Sequence, residues 1–123
     1  MNKFDMLVER VLEESFKRGD EPNTFIGYRC MRYDPTTGKA ISGANSREYI
    51  TLKQGMIIDY DEGHFITPYA QYAIDYYGVH DHNVLLAVQF NEADILSGDM
   101  DDRDPEISVS KSILKDFKTF EGE

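Results

Sequence analysis

His80 and His82, in the run His-Asp-His, have the spacing that two metal ligands on one strand can have. No third ligand accompanies them at a diagnostic distance and no cysteine pair exists, so a loop turned to solvent explains them equally well. Cys30, the sole cysteine, could act as a nucleophile beside a histidine. Lying on a strand near Ile26 and Tyr28, it reads more simply as a small buried residue. The acidic run 99–104 (Asp-Met-Asp-Asp-Arg-Asp) opens like a calcium loop. Its sixth position is Asp104, where the EF-hand turn needs glycine, and its twelfth is Ser110 instead of glutamate. A solvated acidic turn accounts for it. Gly38, Gly43 and Gly55 are too scattered to form a phosphate-cradling loop. The sequence thus implies no metal.

These residues need elements to position them. Phe4, Leu7, Val8, Val11, Leu12 and Phe16 recur at helical spacing, and Gly19 can close the last turn after Lys17 and Arg18. An amphipathic helix over 1–19 is expected, then a turn at Asp20–Asn23. Residues 24–34 are rich in aromatic and β-branched types and read as a strand. Alternation places Phe25, Gly27, Arg29, Met31 and Tyr33 on one face and Ile26, Tyr28, Cys30 and Arg32 on the other. Two arginines among apolar neighbours suggest an interior strand. A long polar loop over 34–48 is followed by short strands at 49–52 and 55–60. Thr67 suits an N-cap and Pro68 the first helical position of a central helix that Gly78 ends. Ala70, Ala73, Ile74 and Tyr77 form its inner stripe, with Tyr69, Tyr72 and Tyr76 beside it. Residues 83–90 are apolar on both faces and should be a central strand. A helical turn at 92–96 and a short strand at 106–110 follow; residues 113–123 fit strand, helical turn or tail.

The chain has 123 residues, which is most simply one domain, residues 1–123. Thirteen Lys and Arg against 23 Asp and Glu give a net charge of −10. That disfavours direct binding to a nucleic-acid backbone or an anionic membrane, both of which need positive charge at the contact. It favours solubility, a basic partner, or mimicry of a polyanion. With one cysteine no internal disulfide forms, so a reducing compartment, the cytoplasm, is expected. The N-terminal run lacks the long apolar core of a signal peptide.

In order along the chain stand Gly-Tyr-Arg-Cys-Met at 27–31, Ser-Gly-Ala-Asn-Ser at 42–46, Gly-His-Phe-Ile-Thr at 63–67 entering the tyrosine-rich helix, and Glu106 opening a late strand. This order resembles the ADP-ribosyltransferase superfamily, including small bacterial and phage members. The resemblance covers about residues 24–112, and each motif is only a few residues long. It implies an α+β fold, a compact mixed or antiparallel sheet with the N-terminal helix and one central helix, ADP-ribosyltransferase-like. The core would be residues 24–112 and the C-terminal segment 113–123. The implied activity is transfer of ADP-ribose from NAD to a macromolecular target, or NAD hydrolysis. Arg29 would hold the NAD phosphates or ribose through paired, charge-assisted bonds. Ser46, or less readily Ser42, would support it. Phe65 would stack on nicotinamide, with Tyr72 and Tyr76 closing the pocket wall. Glu106 would bind the ribose hydroxyl and stabilise the positive charge that develops as nicotinamide leaves.

Two other readings use the same residues. One is a non-enzymatic acidic protein of a phage or mobile element, inhibiting a basic host factor in the host cytoplasm. The other is a virion or assembly component whose exposed tyrosines make a subunit interface.

Overall fold

Residues 24–34 form a strand, as their composition predicts, and the rest of the chain is organised around it. The computed structural model describes residues 16–41, 49–99 and 106–121. In chain order the elements are β1 (Lys17–Arg18), β2 (Thr24–Asp34), β3 (Lys39–Ile41), β4 (Tyr49–Thr51), β5 (Ile57–Ile66), α1 (Ala70–Tyr77), β6 (His82–Asn91), a 3-10 turn at Glu92–Asp94, β7 (Ile95–Asp99) and β8 (Glu106–Glu121).

All pairings between these strands are antiparallel, in the order β4-β3-β2-β6-β8-β5, with β1 beside β2 and β7 beside β8. The outermost strand β5 then returns to β2. Just past its end, Thr67 pairs with Tyr28, with Tyr28 N donating to Thr67 O at 2.7 Å and Thr67 N donating to Tyr28 O at 2.9 Å. The path β2-β6-β8-β5 therefore closes into a ring, and β3 and β4 extend from one side of it. Closure gives the backbone groups at the end of β5 partners they would otherwise seek in water or in another chain.

The ring is filled by alternate side chains. On β2 the inward row is Phe25, Gly27, Arg29 and Met31, as the alternation predicts, and it faces Phe90, Val88, Leu86 and Val84 of β6. Ile107, Val109 and Leu114 of β8 and Ile58 and Ile66 of β5 complete the cluster. Phe16 joins it edge-on to Phe90, with ring centroids 5.3 Å apart. Gly27 leaves room for that contact, since a Cβ there would lie 3.2 Å from both Ile66 and Phe16.

The expected α+β class is corrected by this arrangement. Strand makes up 64% of the described residues and helix 12%, so the fold is a small β-rich one. Most of the expected N-terminal helix lies outside the described residues. Its last turn does not form: Lys17 and Arg18 pair with Ile26 and Phe25 as β1. Sheet pairing supplies those backbone groups with partners, an option that helical periodicity cannot register.

The loop expected over 34–48 carries strand β3 at Lys39–Ile41, while several other expectations hold. Residues 20–23 make the β1–β2 turn, with Asn23 at φ 62°, a conformation asparagine tolerates. Strand β6 is central, between β2 and β8, and the helical turn expected at 92–96 is the 3-10 turn. The central helix exists but begins at Ala70, because Thr67 is committed to Tyr28. Gly78 ends it, its amide donating to Ile74 O at 2.9 Å. Ala73 is fully buried, and the helix packs chiefly on β2. Among the described residues, no helix is long and apolar enough to cross a membrane.

Candidate functional site

Of the residues singled out in the sequence, Tyr72, Tyr76 and Glu106 come together through Tyr77. The helix places Tyr72 and Tyr76 one turn apart, and their rings stack with centroids 5.5 Å apart and planes 15° from parallel. Tyr77 meets Tyr76 edge-on at 4.9 Å, and its hydroxyl donates a hydrogen bond to Glu106 Oε2. Burial, and then the hydrogen bond and charge of Glu106, raise the Tyr77 pKa far above its ordinary value. The phenol therefore stays protonated, and Glu106 is held as its acceptor. The pair fastens the end of α1 to the start of β8.

Arg29 stands elsewhere. It belongs to the inward row of β2, and its Nη1 donates to the backbone oxygen of Phe65 at 3.2 Å. Phe65 thus meets Arg29 through its carbonyl, while the residue itself is exposed. On β8 the inward side chains are Ile107 and Val109, so alternation turns Glu106 to the outer face. The guanidinium and the carboxylate that the resemblance implies should act on one ligand lie on opposite faces of the ring wall. Ser46 and Ser42 lie outside the described residues.

Inside the ring, close to Arg29, is a polar pair that the sequence reading passed over. His64 is almost fully buried, and its Nε2 shares a hydrogen bond of 2.7 Å with Ser112 Oγ. Burial, helped by the positive charge of Arg29, lowers the His64 pKa to about 4. The ring is neutral at physiological pH and serves as an internal hydrogen-bonding group. Cys30 is also buried, on the other face of β2. Burial pushes its thiol up to about 11, which leaves it a poor nucleophile.

A cleft of about 500 Å³ opens at the far end of β2. It is lined by Tyr33, Asp34 and Pro35 at the β2–β3 turn and by the α1–β6 connection, Val79 to His82. Arg32, Ile41 and Tyr49 also line it, brought side by side because Arg32 pairs with Ile41 and Ile41 with Tyr49 across three strands. None of Arg29, Phe65, Tyr72, Tyr76 and Glu106 lines it. His80 and His82 do, yet among the described residues no group of three or more His, Cys, Asp or Glu could hold a metal ion.

The connection is fixed by Asn83. Its fully buried amide takes the His80 N–H at 3.3 Å and donates to the His80 carbonyl at 2.7 Å. The available signal was a polar residue opening the largely apolar run 83–90, three places after His80. Comparison of the chain with protein-family models, with curated proteins and with solved structures finds no match.

Proposed function

We propose that this protein works by binding, and that its partner is a protein with a basic surface. It would act in the cytoplasm, the host's if the chain is phage-encoded. The observation that carries this reading is the pairing of a net charge of −10 with an open cleft lined by two aspartates and one arginine. A strongly acidic chain raises the local concentration of cationic partners and speeds their encounter. Against a hydrolytic or transfer role, Glu106 is already engaged by Tyr77 and faces away from Arg29. Affinity for a purified basic partner should fall steadily as salt rises from about 50 to about 500 mM, since exposed charges are screened over that range. Affinity that is indifferent to salt would sink this reading.

ADP-ribosyl transfer from NAD is a second reading, favoured by the gathering of Glu106, Tyr72 and Tyr76 along α1. It requires a cleft between that cluster and Arg29 to form when NAD binds. Thermal denaturation decides it. A melting temperature that rises with NAD, and no longer does so in Arg29→Ala, would support this reading over the first, because a ligand that prefers the folded state must stabilise it.

A further inference from the structure

The cleft has the makings of a receptor for one kind of side chain. Its apolar surface comes from Ile41, Pro35, Val79 and the ring of Tyr49, suited to the aliphatic stem of a long residue. Tyr49 and Val79 are exposed, so their carbon is free to be covered. Two carboxylates line it, Asp34 from the β2–β3 turn and Asp81 from the α1–β6 connection. The Thr36 amide donates to Asp34 Oδ1 at 2.9 Å, and this bond chiefly holds the acid below its usual range, so it remains charged. The Asn83 clasp on His80 sets the Asp81 wall before any ligand arrives, which reduces the ordering that binding would require.

From this geometry we propose that the cleft seats an arginine side chain of the basic partner, its guanidinium between Asp34 and Asp81 and over the face of Tyr49. The proposal rests on the binding reading above and names the site that performs it. Arginine fits better than lysine because a planar guanidinium stacks on an aromatic ring while forming paired bonds to carboxylate. An anionic ligand is opposed by the two aspartates and by the charge of the whole chain. Among the described lining residues Arg32 carries the permanent positive charge that repels a cation, and its removal separates the alternatives.

The test uses the full chain labelled with nitrogen-15 and three blocked peptides in which glycine alternates with arginine, lysine or glutamate. Amide shifts are followed at low salt. The arginine peptide should move the amides of residues 32–34 and 79–82. Asp81→Asn should weaken it about two- to fivefold and Tyr49→Ala about threefold. Arg32→Gln should tighten it by a similar factor. Each variant is first checked for an unchanged amide spectrum away from the cleft. Shifts scattered over the acidic surface and indifferent to these substitutions would overturn the cleft assignment while leaving the basic-partner reading intact. Equal affinity for the lysine peptide would overturn the choice of arginine. Binding of the glutamate peptide at the cleft, weakened by Arg32→Gln, would overturn the proposal entirely. Failure of both cationic peptides to bind would overturn the binding reading as well.

Discussion

His64 shows what a single side chain contributes once it is enclosed. It stands in the run Gly-His-Phe-Ile-Thr that leads into the central helix, directly after the acidic pair Asp61 and Glu62. Pairing with Val109 of β8 turns it inward, beside Ser112 and near Arg29. Its folded pKa of about 4 lies below the ordinary value of 6.5. Above pH 6.5 both folded and unfolded chains leave the ring neutral, and it adds nothing to the pH dependence. Below that, the unfolded chain takes a proton that the folded chain refuses, so stability falls until about pH 4 and then levels. The loss over that window is about 3 kcal/mol at most. Urea denaturation at low protein concentration should show this loss in the native chain. In His64→Gln, which keeps a polar group near Ser112, the slope across the window should be shallower. An unchanged slope would mean that the buried ring is not the titrating group.

At the scale of elements, closure of the ring explains why local signals were read only in part. Thr67-Pro68 has the form of a cap and first turn, but the Thr67 backbone is spent on Tyr28 and the helix starts later, at Ala70. Strand β8 is longer than the five-residue strand expected at 106–110. It runs to Glu121 because its second half pairs with β6. Its inward residues change from odd positions, Ile107 and Val109, to even ones, Ser112 and Leu114. That switch breaks the period-two pattern by which a strand is recognised. Gly27 makes the same point at one position. Strand propensity favours valine there, yet the inner row has no space beside Ile66 and Phe16. Gly27→Val should therefore destabilise the fold by about 1–3 kcal/mol through overpacking, measured as a lower urea midpoint at unchanged slope. A gain in stability would contradict the closed ring.

For the whole molecule, charge governs behaviour in solution. With ten more acids than bases and an isoelectric point near 4.6, the chain repels its own copies at neutral pH. Light scattering should report its lowest solubility close to that pH and a rise on either side. A minimum displaced well above it would point to association through the exposed apolar residues Tyr49, Ile57, Phe65, Tyr76 and Leu96 instead. The sequence alone determined this charge, the strand character of 24–34 and 83–90, the inward row of β2, the central helix and its end at Gly78. These depend on composition and on spacing within a few residues, which every local window contains. The tertiary structure alone decided that the sheet closes, that Glu106 meets Tyr77 and faces away from Arg29, and that His80 and His82 border a cleft with Asp34 and Tyr49. Each of those depends on pairing between strands far apart in the chain, whose register is set by which side chains can share one interior.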